Sequence, residues 1–143
     1  MKIKVRYQSR GGNTRAVAEV IAEAFGVPAM SVEHPLDEPA DVLFLGGGVY
    51  EWKMDQSLSE FIEQLSADKA RQIVTFSTTG LMDSTIKQIT QAAKQKGIKV
   101  NENYLLLKMG LHGHSMLRLK GGNLTEAQFL KIQQFVQQIK EEL

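Results

Sequence analysis

A chain of 143 residues, 43% hydrophobic and 23% charged, is long enough for one folded domain with a buried core and has an ordinary globular composition. It contains no cysteine, which excludes disulfides, thiolate nucleophiles, iron–sulfur clusters and zinc–thiolate sites. The net charge is +1, no apolar run is long enough to span a bilayer, and the opening MKIKVRY alternates instead of building the apolar core of a signal peptide, so the expectation is a cytoplasmic protein with no membrane partner.

The first expected strand is IKVRYQ, from Ile3. It runs into YQSRGGNTRAVAEVIAEAFG, where Ala16, Val17, Val20, Ile21 and Ala24 form one apolar helix stripe, terminated by Gly26 and Pro28. Between strand and helix, Ser9 and Thr14 offer hydroxyls while Gly11 and Gly12 permit a tight turn. With the unpaired N–H groups and the positive dipole end of a helix, these residues suit a phosphate. The spacing is neither G-x-x-x-x-G-K-[ST] nor G-x-G-x-x-G, and a Ser or Asn helix cap after a glycine-assisted turn reads equally well.

PAMSVEH, from Pro28, has the look of a short or edge strand. PLDEPA follows and is too short for a helix, although a parallel crossover usually takes a dozen residues or more. The connector must therefore run nearly straight, which Pro35 and Pro39 favour, and the second strand is expected to be short, displaced or absent. DVLFLGG, from Asp41, is apolar without interruption over Val42–Leu45, as in a strand covered on both faces. Gly46, Gly47 and Gly48 after it would allow positive φ and close approach to a ligand. Leu58, Phe61, Ile62 and Leu65 mark the second helix, opened by Ser57 with Glu60 in a capping-box pattern.

QIVTFST, from Gln72, is the next strand, followed by a helix with Ile86, Ile89 and Ala93 inward, capped by Asp83 or Ser84 and ended by Gly97. NYLLLKMG, from Asn103, is the last strand, and the clearest helix is the last, with Phe129, Ile132, Val136, Ile139 and Leu143 capped by Thr125 and Gln128. The order β-α-β-β-α-β-α-β-α implies α/β architecture: a parallel sheet with helices on both faces. Ligands of such sheets bind beyond the carboxyl ends of the strands, so the site should be built from the turns Ser9–Thr14, Gly46–Asp55 and Ser77–Asp83.

Acids dominate from Glu19 to Asp68 and bases from Lys87 to Lys120, an asymmetry that suits orientation of a charged partner. The bases do not interleave with aromatics, so no nucleic-acid partner is expected. His112 and His114 make an H-x-H pair with no third ligand nearby in sequence, so no metal site is expected.

YQSRGGNTRAVAEVI resembles the flavodoxin signature, in which an aromatic strand end leads to S-x-T-G-N-T and a helix; Tyr7, Ser9, Gly12, Asn13, Thr14, Ala18 and Ile21 fall in register. The resemblance continues through ADVLFLGGGVYEWK and IVTFSTTG and covers nearly the whole chain, 1–143 as a single domain. It implies a short-chain flavodoxin-like fold: a doubly wound, parallel five-stranded sheet of order 2-1-3-4-5. It also implies flavin mononucleotide (FMN) with its phosphate held by Ser9, Arg10, Gly11, Gly12, Asn13 and Thr14. The ring would lie against Gly48, Val49, Tyr50 and Trp52 on one side, with Ser77, Thr78, Thr79 and Gly80 at its pyrimidine edge and Leu81 or Met82 near its second face. Two departures stand out: Gly11 replaces a threonine, and Arg6 occupies an apolar strand position.

The activity so implied is electron transfer by a monomeric carrier, with a reductase and an acceptor enzyme as partners and no catalytic side chain. The alternatives are a flavodoxin-like module that has lost FMN, or a small FMN-dependent NAD(P)H reductase. Around the ring, Glu51, Asp55 and Asp83 are balanced by Arg10 and Lys53, so the reduced state should be easier to reach than in a strongly acidic flavodoxin.

Overall fold

The computed structural model describes residues 1–47, 49–50, 53–78, 84–109 and 124–143. In chain order these form β1 (Ile3–Tyr7), α1 (Asn13–Phe25), β2 (Ala29–Ser31), β3 (Val42–Gly47), β4 (Val49–Tyr50), β5 (Lys53–Met54), α2 (Gln56–Glu63), β6 (Gln72–Ser77), α3 (Ser84–Gln95), β7 (Lys99–Val100), β8 (Leu105–Leu106) and α4 (Glu126–Glu142). The main sheet is parallel, in the order β2-β1-β3-β6, and β6 carries both β7 and β8 on its far edge. By position this is the expected 2-1-3-4-5 arrangement, with β7 and β8 sharing the fifth place.

Alternation along the central strands divides the core between two layers. Val42 and Phe44 of β3, with Val74 and Phe76 of β6, face α1 and α4, where Val17, Ile21, Ile132 and Ile139 are fully buried against them. Leu43, Leu45 and Ile73 face the other way, onto Leu58, Phe61 and Ile62 of α2 and Ile89 and Ala93 of α3. Helix ends follow local chemistry. Gly26 closes α1 in the left-handed region at φ 68°, and Thr125 and Gln128 form a reciprocal capping box on α4. Helix α2 departs from the expected Ser57 cap: Asp55 is the cap, its carboxylate accepting from the Ser57 N–H at 2.9 Å and the Ser57 hydroxyl at 2.6 Å. An ionised carboxylate is the stronger acceptor at a helix N-terminus, which is why it displaces the serine.

The short passage from β2 to β3 is resolved by two bases of β1 and the one just before it. Lys2, Lys4 and Arg6 alternate with Ile3, Val5 and Tyr7, so they share the face that a crossover helix would normally cover. Here the connector covers it instead, and it is not the straight run expected: it turns at Ser31–His34, where the His34 N–H donates to the Ser31 carbonyl at 2.9 Å, and bends again at 37–38. The Val32 N–H donates to the Tyr7 carbonyl at 2.8 Å, and the Arg6 guanidinium, 3% exposed, donates to the carbonyls of His34 at 2.8 Å and Pro35 at 3.2 Å. Lys4 holds Glu38 at 2.8 Å and Asp37 at 3.3 Å, and Lys2 holds Glu38 at 2.6 Å. Arg6 is thus a strap for backbone carbonyls, which an apolar residue could not be. Burial pulls its guanidinium below the usual arginine range, while Lys2 and then Lys4 hold the Glu38 carboxyl at about 2.

The last strand also departs from its expected start at Asn103. Pairing begins earlier, at Gln72–Lys99 and Ile73–Val100, breaks at 101–104, and resumes at Phe76–Leu105 and Ser77–Leu106. Asn101 causes the break. Its side-chain oxygen accepts from the Asn103 N–H at 2.8 Å while its amide donates to Gln72 and Glu142, turning the chain out of the ladder.

Gly46 and Gly47 are interior residues of β3, and the positive-φ glycines among the described residues are Gly12, Gly26 and Gly97. Gly46 and Gly47 thus make no use of the positive φ that glycine allows. A Cβ on Gly46 would lie 2.3 Å from the Phe76 ring, and one on Gly47 2.9 Å from Leu58, so packing is what demands glycine there.

Candidate functional site

The carboxyl ends of β1, β3 and β6 bring the three expected turns to one edge. At the first, Gly12 caps α1 at φ 95°, a left-handed conformation that other residues adopt only with strain. Having no side chain, it makes no side-chain cap; the first intrahelical bond is Ala16 N–H to Gly12 carbonyl at 3.0 Å. The N–H groups of the first turn have no intrahelical acceptor. The serine-cap reading is thereby replaced: Ser9 Oγ accepts from the Gly12 N–H at 3.0 Å, closing the turn, and its own O–H remains as a donor. A Cβ on Gly11 would meet nothing within 4 Å, so the missing hydroxyl there has no steric cause.

Two side-chain links fasten this turn to its neighbours. Thr14, 2% exposed, shares a 3.0 Å hydrogen bond with the Thr78 hydroxyl, joining the first turn to the end of β6. Arg10 reaches Asp55 Oδ2 at 3.0 Å through Nη2 and 3.3 Å through Nε, joining it to the start of α2. Hydrogen bonds from Ser57, reinforced by Arg10, hold the Asp55 carboxyl below the usual aspartate range against the opposing effect of burial. Asp55 was legible only as one of several charges near the ring, because Ser57 and Glu60 mimic a capping box; the D-x-S pattern at 55–57 was the available signal.

A polar cavity of about 640 Å³ opens over this turn, lined by Gln8, Ser9, Arg10, Gly11 and Gly12 on one side and Asp55 on another. Its volume is in the range of cofactor pockets. The donor set is hydroxyls, the guanidiniums of Arg10 and Arg15, and backbone N–H groups, which is the chemistry a phosphate requires; of the two lining carboxylates, Asp55 is paired with Arg10 and Glu33 lies on the rim toward β2. The residues present fit the phosphate end of FMN.

The second turn begins as a hairpin in which Val49 pairs with Met54 and Tyr50 with Lys53, and β5 lies against α3. Gly48, Glu51 and Trp52 lie outside the described residues, as do Thr79, Gly80, Leu81, Met82 and Asp83 of the third turn and His112 and His114. Ser77, 1% exposed, and Thr78, 7% exposed, are the described part of the third turn. Among the described residues there is no cluster of metal-ligating side chains, and no helix is long and apolar enough to cross a membrane.

The family profile described as a flavodoxin domain matches residues 4–131. A curated relative, an uncharacterized protein of Methanocaldococcus jannaschii, is 25% identical over 129 residues, covering 85% of this chain and 84% of its own. Among solved structures, a flavodoxin from the domain Archaea superposes with a TM-score of 0.73 at 21% identity, covering 99% of this chain and 98% of that one. The rubredoxin oxygen:oxidoreductase of the anaerobe Desulfovibrio gigas matches with a TM-score of 0.74 at 14% identity over 99% of this chain, which spans 35% of that protein. A flavodoxin of Streptococcus pneumonia TIGR4 matches with a TM-score of 0.63 at 13% identity, with 99% of each chain covered.

Proposed function

This chain belongs to the flavodoxin domain family, and on that premise we propose that it holds FMN non-covalently at the carboxyl edge and carries electrons between a reductase and an acceptor enzyme in the cytoplasm. The cofactor, when bound, supplies the redox chemistry. The chain's own residues bind and orient it. Ser9, Gly11, Gly12, Asn13 and Thr14 surround the phosphate with hydroxyls and backbone N–H groups, and Arg10 adds a positive charge steadied by Asp55. Gly48, Val49, Tyr50 and Trp52 face the ring, while Ser77, Thr78, Thr79 and Gly80 serve its pyrimidine edge.

The observation that carries this reading is the left-handed Gly12 at a helix start that has no side-chain cap, opening onto a polar cavity and tied to β6 through Thr14 and Thr78. Glycine takes this conformation without strain and puts no side chain over the first turn, which leaves the space a phosphate would need. Pairing of Asp55 with Arg10 removes one uncompensated negative charge from the ring's surroundings. It supports a reduced state more accessible than in a strongly acidic flavodoxin.

Anaerobic mixing separates carrier from enzyme. FMN-loaded protein should stay yellow with NAD(P)H alone and bleach once a flavodoxin reductase is added. Rapid bleaching by NAD(P)H without a reductase would contradict the carrier reading.

A further inference from the structure

A buried pair of hydroxyls joins the first turn of the candidate site to the third. Thr14 and Thr78 stand 64 residues apart in the chain, and their Oγ1 atoms lie 3.0 Å from one another. Both residues are buried, so water competes little for the bond. Thr14 is the second residue of α1, in the turn whose N–H groups lack intrahelical acceptors. Thr78 directly follows the last residue of β6. Since β3 lies between β1 and β6, the pair fastens the helix after β1 to a strand two spacings, about 10 Å, away.

Of the side-chain bonds at this turn, the threonine pair is the one built to hold it against the sheet. The Ser9–Gly12 bond closes the turn on itself and fixes nothing outside it. Arg10 reaches Asp55, but through a long side chain that is 58% exposed, where water screens and competes. Threonine is short and stiff at χ1, so a bond between two of them leaves little play. Placement matters because hydrogen bonds weaken steeply once distance and angle depart from their narrow range. A first turn that drifts from the sheet loses several N–H contacts to an anion together.

We infer that Thr78 is a positioning residue for the phosphate: its hydroxyl, acting through Thr14, holds the first turn of α1 where its N–H groups serve the anion. This rests on the reading of that turn as the phosphate grip. Position in the sequence puts Thr78 beside the flavin ring, and its backbone remains there to serve the pyrimidine edge. Its side chain works for the opposite end of the cofactor. The two roles separate cleanly, because riboflavin has the ring without the phosphate.

The test is calorimetric titration of the parent, Thr78→Val and Thr78→Ser chains with FMN and with riboflavin, with urea denaturation of each. Thr78→Val keeps the shape and removes the hydroxyl. It should weaken FMN roughly three- to tenfold, the worth of one hydrogen bond, and leave riboflavin within about twofold. Thr78→Ser, which restores the hydroxyl, should recover most of the FMN affinity. The urea midpoint of Thr78→Val should fall, since the Thr14 hydroxyl is left buried and unpaired. Removing both hydroxyls in Thr14→Val/Thr78→Val should return most of that stability, giving a folded chain even where the single variant fails to fold. In the Thr14→Val background, Thr78→Val should have no further effect on either flavin beyond about twofold, because the link is already gone. Equal weakening of FMN and riboflavin would assign the side chain to the ring and overturn the inference. So would a loss of stability with the FMN-to-riboflavin ratio unchanged, or a Thr78→Val effect as large without Thr14 as with it. A parent chain that binds the two flavins equally would overturn the phosphate reading itself, before any substitution is made.

Discussion

Replacing Gly46 by alanine tests the account of the sheet most sharply, because one methyl group meets a single identifiable obstacle. The new Cβ would sit 2.3–2.5 Å from three ring carbons of Phe76, against an ordinary contact of 3.4–4 Å. The ring must therefore retreat by about 1 Å, yet it is fully buried and its own strand is fixed opposite Gly46 in the β3–β6 ladder. Overpacking of this kind costs about 1–3 kcal/mol, and a displacement so large belongs at the upper end. The unfolded chain loses some freedom on gaining a Cβ, which returns about 0.4–1 kcal/mol. The net expectation is a loss of about 2 kcal/mol, roughly a thirtyfold change in the folding equilibrium, read by urea denaturation with an unchanged m value. Phe76→Leu alone should cost about 1–2 kcal/mol through lost ring volume. In the double variant the leucine makes room for the methyl, so its loss should fall about 1–2 kcal/mol short of the sum. A Gly46→Ala chain within 0.5 kcal/mol of the parent, or strictly additive double-variant energies, would refute the packing argument.

Three further expectations follow from other parts of the molecule. Gly11→Thr restores a hydroxyl in open space, so FMN should bind severalfold more tightly by calorimetry while the unfolding midpoint holds or rises. Arg6→Met removes the donors to the His34 and Pro35 carbonyls; stability should fall by about 1–3 kcal/mol, and the Val32 amide should exchange faster by hydrogen-exchange NMR. Glu38 is held at about 2, below its ordinary 4.5, so its ion pairs contribute stability above pH 4.5 that is lost as pH falls toward 2. Glu38→Gln should flatten that acid limb of the unfolding profile, whereas an unchanged limb would count against the Lys2–Glu38–Lys4 clasp.

The helices were legible because their apolar stripes recur at the helical period and their ends carry glycine or a capping pair, as at Gly26 and Thr125. The first turn was legible as a glycine-opened strand-to-helix turn by residue type, but the role of Ser9 was not. Whether a serine caps a helix or closes its own turn depends on the φ of Gly12, which residue identity alone does not determine. Arg6 looked anomalous because period-2 reasoning assigns a face and not the object covering it; here that object is backbone, whose carbonyls the guanidinium satisfies through several donors at once. The break at Asn101 and the Arg10–Asp55 link arise from contacts across 29 to 45 residues, beyond any local pattern. The three glycines after Leu45 illustrate the same limit. Conformational freedom and lack of volume are both reasons for glycine, and at Gly46 and Gly47 volume decided.

The central claim is that this chain grips a phosphate through its first turn. Parallel calorimetric titrations with FMN and with riboflavin, which differ only in that phosphate, test it most directly. The account predicts one-to-one FMN binding with flavin fluorescence quenched, riboflavin weaker by at least tenfold, and that gap narrowed by Arg10→Ala. Equal affinity for the two flavins, or no binding of either by folded protein, would contradict it.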